Sequence, residues 1–452
     1  MLLFQLIAAL LTLLITVASA DARPLKIEDL DRIERVADPQ LSPDGEWVLY
    51  SVDSFDAAAD GRRNSIWMVR WSGGEPVPVS QAQSASMPRF SPDGRWVSFL
   101  REGQLWLLDR KGGTEARKVT DIRGGIGSYA WSPDSRRLAI GYREETSPPK
   151  DANGKETPEP WVIDRVRFKE DAGEGYIHNR IKSPRIYLYD LQAKSFEPLT
   201  AGGEFEETSP AWSPDGTRIA FVSNREADWQ YSDYGDIYVA AAQPNSTPRR
   251  LTDFPGADRE PAWSPDGRNI AFLQGSEPKY WMYNQTSLAT VSVADGKVRE
   301  LAASLDRDIG SPQFSADGRS VRFLVTDNRA RYPAQVPLAD GEAQRLLQGS
   351  YFVLGMSQSK DRIAALVSSD RSPAEVYALE KGKLRALTRH NESVLSGIDL
   401  VERESIDFVA RDGERVYGML AKPLGYQAGQ RYPTILWLHG GPYSQDNWGF
   451  HN

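Results

Sequence analysis

The sequence predicts an all-β fold, a seven-bladed β-propeller, followed by a short stretch with different grammar. Three observations carry the prediction. The first is a repeated phrase, Trp212-Ser213-Pro214-Asp215-Gly216 and Trp263-Ser264-Pro265-Asp266-Gly267, with weaker copies starting at Leu41, Phe90, Trp131 and Phe314 and a worn one at Met356. The starts lie 49, 41, 81, 51, 51 and 42 residues apart, a period that marks propeller blades. The second is strand alternation after each phrase, as in Arg95-Trp96-Val97-Ser98-Phe99-Leu100 and Thr217-Arg218-Ile219-Ala220-Phe221-Val222. The third is a composition with 13 Trp, 37 Gly and 29 Pro, which suits a turn-rich β protein.

Each phrase reads as a turn. Pro presets φ at the second position, Asp tolerates the third, and Gly fits the bulge that follows. A second strand comes next, such as Gln104-Leu105-Trp106-Leu107-Leu108 or Arg185-Ile186-Tyr187-Leu188-Tyr189. A third often ends in Leu-Thr, as at Leu199-Thr200 and Leu251-Thr252. The unit is therefore a small antiparallel sheet, and the ring is expected over 38–395.

The remaining elements follow in chain order. Leu2 to Val17 is apolar and ends in Ala18-Ser19-Ala20, so residues 1–20 read as a signal peptide cleaved after Ala20. That implies a periplasmic or secreted protein with no membrane span after cleavage. Over 21–37, apolar residues at Ile27, Leu30, Ile33 and Val36 predict a short helix. The wide gap before the fourth copy holds an insertion at 143–182, Pro-rich at its start, with Trp161 to Phe168 able to form a strand. After Leu395 the pattern changes. Ser405 to Ala410 and Val416 to Leu420 flank Asp412-Gly413, a hairpin signal. Thr434 to Leu438 then reads as a strand buried on both faces of a mixed sheet, and it leads into His439-Gly440-Gly441-Pro442.

Composition excludes several chemistries. Net charge is −8, so there is no basic nucleic-acid footprint. Zero cysteines exclude disulfides, thiolate metal sites and a cysteine nucleophile. The four histidines, His178, His390, His439 and His451, show no metal-ligand spacing on one element. No metal or other cofactor is expected.

A strand running into His-Gly-Gly is one half of an oxyanion hole in α/β-hydrolases, because glycines let backbone N–H groups approach a developing negative charge. With the repeats and Tyr432-Pro433 through Gly440-Gly441-Pro442-Tyr443, the chain from Ile27 to Asn452 resembles the prolyl oligopeptidase family of serine peptidases. The likeness is greatest to its acylaminoacyl-peptidase and dipeptidyl-peptidase branches. The resemblance implies that 396–452 begins an α/β-hydrolase domain. It implies that Gly441 donates an oxyanion N–H, that His439 shapes that loop, and that substrates are short peptides. It also implies that propeller carboxylates hold a peptide's free amine, for which Glu144-Glu145 and Glu206-Glu207 are the candidates.

The departure from the family is equally plain. No Gly-x-Ser-x-Gly elbow occurs, the nearest being Gly355-Met356-Ser357-Gln358-Ser359, and only His451 follows His439. The triad is absent in family order, so the chain reads as the N-terminal part of such an enzyme, inactive alone. Its segment from Ser405 onward is expected to expose apolar surface and unpaired strand edges. The competing reading is a non-catalytic TolB-like periplasmic propeller that binds protein partners. A pure propeller has no reason to carry Ile406 to Pro442.

Overall fold

The computed structural model describes residues 22–450 except 81–83, 111–114, 158–161, 164–167, 170–181, 204, 228–233, 281–284, 340 and 442–443. The expected signal peptide, His178, His451 and most of Trp161 to Phe168 lie outside the described residues.

Seven four-stranded antiparallel units span 35–80, 85–118, 124–198, 207–250, 258–301, 308–345 and 352–386. The last two touch through a single parallel pair, Arg331 with Phe352. Each unit is a blade, and every blade takes all its strands from one continuous stretch of chain.

The repeated phrase forms the turn between the first and second strand of six blades. In blade 4 the Ser213 hydroxyl donates to the Asp215 carboxylate (2.6 Å). That carboxylate accepts the Thr217 N–H (3.0 Å), and Ser213 Oγ accepts the Arg218 N–H (2.9 Å). The same network recurs at Ser91, Ser132, Ser264 and Ser315, and at Ser42. The serines are buried, so each network satisfies polar groups that water cannot reach. Asp215 sits low, at about 2, chiefly because the Ser213 hydroxyl and the Thr217 N–H stabilise its charge. The seventh copy keeps the blade without the phrase: Ser359 pairs with Arg362 around a two-residue turn.

The aromatic that opens the phrase explains its own identity. The Trp212 indole donates to Ala130 O (3.1 Å) and the Trp263 indole to Ala211 O (2.9 Å), each in the preceding blade. The guanidinium of Arg137 lies 5.0 Å over Trp212, and that of Arg218 lies 5.0 Å over Trp263. Tryptophan thus spans the gap between blades and keeps its N–H bonded.

Nine residues after each phrase starts, one side chain fills the space between blades. These are Tyr50, Phe99, Ile140, Phe221, Phe272 and Phe323, all buried. Truncating Phe221 or Phe272 to Ala leaves a cavity the close-packed neighbours cannot fill. Each is expected to cost about 3–5 kcal/mol, read as a lowered denaturation midpoint. A cost below about 1 kcal/mol would contradict the packing described here.

The ring closes side by side. Blades 1 and 7 share an apolar cluster including Val48, Tyr50, Trp71, Leu366, Val376 and Leu387. Leu41 N–H donates to Ser357 Oγ (2.9 Å), and Arg362 pairs with Glu46 (2.7 Å). Glu34 and Asn391 exchange two hydrogen bonds, while His390 bridges the Glu34 carboxylate (2.8 Å) and the Tyr50 hydroxyl (3.0 Å). Outside the ring, Arg23–Pro24 pairs in parallel with Ile398–Asp399.

Two elements differ from the sequence reading. The helix is one turn, Ile27–Leu30. Ile27 stays exposed, whereas Ile33 and Val36 are buried, and Val36 already pairs with Val52 in the first blade. The apolar spacing served a loop and a strand, so the first blade starts at Arg35. Thr434 to Leu438 forms no strand. Its Ile435 is 89% exposed and its Trp437 76%. A strand meant for the middle of a sheet has no hydrogen-bonding neighbour here, and without partners an extended run stays irregular.

Candidate functional site

Blade topology places the site. The Ser-Pro-Asp-Gly turns occupy one face of the ring. In an antiparallel blade the second-to-third connections and the links between blades then lie on the opposite face. The 143–182 insertion, Glu144, Glu145, Glu206 and Glu207 all sit at such connections. The chain after Leu395 meets the same face, at Arg329 in blade 6 and at Asp370 in blade 7.

That returning segment begins with a hairpin, Arg403–Val409 and Arg415–Ala421, built around Asp412-Gly413. The hairpin is fixed at two loops of the ring. Arg403 pairs with Asp370 and donates to Gly449 O (2.7 Å). Arg329 donates to Ser405 Oγ (2.9 Å) and to Gly418 O. Between this segment and blades 4 to 6 lies a cavity of ≈ 3250 Å³, with Tyr234, Arg259, Thr286 and Arg307 on the ring side and Trp437 and His439 opposite.

His439 and Gly441 are exposed at the far end of the segment. The His439 imidazole contacts Gly440 O through Nδ1 (3.0 Å). Gly441 has φ 137°, a backbone conformation that a side chain disfavours. The ring nitrogen is thus engaged with its own loop, and the glycine leaves its backbone open to an approaching group.

The acidic pairs share the face but not the cavity. Glu144 is exposed, and Glu145 and Glu206 are half-buried. Burial raises the Tyr187 phenol, and the charges of Glu144 and Glu207 add to that rise. Both pairs therefore act on one neighbourhood. Glu207 is fully committed there. Its carboxylate accepts from Arg225 (2.6 Å), from the Thr200 hydroxyl and from the Ile186 N–H (3.2 Å). It ties blade 3 to blade 4 and leaves Glu206 as the available member of its pair.

One blade further on, the same position holds Asp258, fully buried. The residue corresponding to Arg225 is Ser276, so no guanidinium pairs with it directly, and Arg250, paired with Asp236, acts on it only through its charge. Neither carboxylate oxygen makes a hydrogen bond among the described residues. Burial pushes Asp258 up to about 7; Thr252 and Gln274 nearby pull it down and Asp236 adds to the rise. Asp236 itself is pushed up to about 6 by burial, against the opposing pull of Arg250 (2.7 Å). Among the described residues no group of carboxylates and histidines could hold a metal ion. No described helix is long and apolar enough to cross a membrane.

Comparisons with known proteins agree on the lineage. A TolB β-propeller domain model matches residues 174–351. Dipeptidyl-peptidase 5 of Porphyromonas endodontalis is 25% identical over 92% of this chain and 62% of its own length. The uncharacterized peptidase YuxL of Bacillus subtilis is 27% identical over 92% of this chain and 66% of its own length. The chain belongs to the prolyl oligopeptidase family. It corresponds to the N-terminal propeller part of these peptidases and spans about two thirds of the length of either relative. The acylaminoacyl peptidase of Pyrococcus horikoshii has the same fold, with TM-score 0.76 at 22% identity over 93% of this chain and 63% of that one. The isolated propeller of the trilobed protease from Pyrococcus furiosus, described as having an open velcro topology, matches with TM-score 0.58 at 18% identity over 80% of this chain and 98% of its own. The likeness to the two curated relatives runs over 92% of this chain, beyond the residues that the propeller model matches.

Proposed function

We propose that this chain is the propeller portion of an exported serine peptidase that cleaves short peptides, of the dipeptidyl- or acylaminoacyl-peptidase type. The observation that carries the reading is the cavity between blades 4 to 6 and the segment bearing His439. A ring over such a cavity would admit short peptides and exclude folded chains. Gly441 would offer its N–H to the oxyanion of a scissile carbonyl. His439, bonded to its own backbone, shapes that loop rather than serving as base. Glu206 and the Glu144-Glu145 pair, on the same face but outside that cavity, would hold the free amine of a substrate that reaches beyond it. Export rests on residues 1–20 and predicts a mature periplasmic or secreted protein beginning at Asp21.

The test uses the gene product purified from its native source. Turnover of dipeptidyl or acylaminoacyl anilides, blocked by a fluorophosphonate, is expected. Glu→Gln at Glu144, Glu145 or Glu206 should impair free-amine dipeptide substrates about tenfold or more relative to blocked ones, the loss of one charge-assisted contact. Equal effects on both substrates would dismiss the amine site. Absence of any turnover, with an unprocessed Met1, would favour the TolB-like binding propeller instead.

A further inference from the structure

We propose that Arg329 is the positioning residue that fixes the His439–Gly441 loop over the propeller, an inference that rests on the peptidase reading above. Strands Ser320–Asp327 and Ala330–Pro337 of blade 6 are joined by the two residues Asn328 and Arg329, with Asp327 paired to Ala330. Their φ angles are 46° and 67°. Such a turn favours Asn followed by Gly. An arginine stands where glycine would relieve the backbone, and a strained position kept at a site invites a functional explanation.

The side chain shows what the strain secures. Arg329 is 7% exposed. Its guanidinium donates to Asn328 Oδ1 (2.8 Å), which orients it, then to Ser405 Oγ (2.9 Å) and to Gly418 O. Ser405 and Gly418 lie on the two different strands of the hairpin. The guanidinium also stands 5.2 Å over the Trp448 ring. Its main chain joins in: Trp448 N–H donates to Arg329 O (2.9 Å), and Arg329 N–H donates to Gln445 Oε1 (3.3 Å). The chain from 422 to 444, which carries His439 and Gly441, leaves the hairpin and returns at Gln445. One residue therefore holds both ends of that loop. A planar fork that stacks and donates in two directions can do this, and a single ammonium cannot.

The test uses the 452-residue chain with Arg329→Gly and Arg329→Lys. Glycine suits the turn, so the ring's denaturation midpoint should hold or rise. Amide hydrogen exchange over 403–421 should accelerate about tenfold or more, from the lost charge-assisted hydrogen bonds. The 19F resonance of 5-fluorotryptophan at Trp448, assigned with Trp448→Phe, should move toward its solvent-exposed position. Lysine should give intermediate exchange. Unchanged exchange over 403–421 and an unmoved Trp448 resonance in Arg329→Gly would overturn the proposal. So would acceleration spread evenly through the blades, or full protection with lysine. These readouts need no turnover, so their failure is distinct from failure of the peptidase reading.

Discussion

Asp258→Asn is expected to stabilise the propeller at pH 8 by about 2–4 kcal/mol and to flatten its stability profile between about pH 4 and 7. The sign follows from proton counting. In the unfolded chain the carboxyl ionises near its ordinary 3.8, whereas in the folded blade burial holds it protonated up to about 7. Between those values the folded state binds one proton more than the unfolded state, so stability falls as pH rises. Holding a carboxyl protonated across that whole range corresponds to about 4 kcal/mol. Asparagine keeps the shape and carries no charge in either state. Its buried amide has only Thr252 and Gln274 nearby to bond, which trims the gain. Below about pH 4 the variant should gain nothing. Glu207, at the equivalent place in blade 4, has Arg225 beside it, so its loss would leave a half-buried guanidinium without its carboxylate partner. Urea midpoints for the wild type and Asp258→Asn across pH 4.5 to 8.5 measure the difference directly. A variant weaker than wild type at pH 8, or one with the same slope, would contradict this account.

Much of the ring was legible because the repeat is a turn with obligatory chemistry. Ser, Asp and Gly at Ser213, Asp215 and Gly216 each have a separate bonding or backbone task, so the phrase survives in sequence. The Leu-Thr endings were legible for a related reason. The buried hydroxyl of Thr252 accepts the Ile237 N–H (2.9 Å), and that of Thr388 accepts the Val376 N–H (2.8 Å). A second repeat is quieter. Three residues before the phrase's serine stands a proline, at Pro39, Pro88, Pro210, Pro261 and Pro312. The residue ahead of each, Asp38, Met87, Ser209, Glu260 or Ser311, has φ between 51° and 57° and sits where the register of the first strand shifts. This bulge bends the innermost strand of the blade. Proline suits a position where the ladder is already interrupted.

The site was less legible because its parts are made by neighbours that sequence does not reveal. Glu206 and Glu207 look alike in the chain, yet Arg225 and Thr200 reserve one of them for the blade seam. Asp258 gave no signal, because its environment depends on an absent arginine at Ser276. Arg329 was invisible for the opposite reason. Its partners lie 76 and 89 residues away, at Ser405 and Gly418. The run Thr434 to Leu438 has the composition of a buried strand, but strand formation needs an adjacent edge.

The 452-residue chain itself is expected to be inert toward serine-directed chemistry. On the proposed reading Gly441 would supply one oxyanion donor, and the second would belong to the residue after a nucleophile in an elbow that this sequence does not contain. The serines of the repeat, Ser42, Ser91, Ser132, Ser213, Ser264 and Ser315, are buried and already donate to aspartates. Ser357, in the nearest approach to an elbow, is spent accepting the Leu41 N–H at the ring seam. An oxyanion donor without an activated nucleophile opens no acyl-enzyme route. The measurement that bears most directly on the central claim, a peptidase-family propeller carrying part of an oxyanion loop and no nucleophile of its own, is fluorophosphonate labelling of the purified chain read by intact mass. No adduct and no release from dipeptidyl or acylaminoacyl anilides are expected. One adduct per chain on any serine would contradict it.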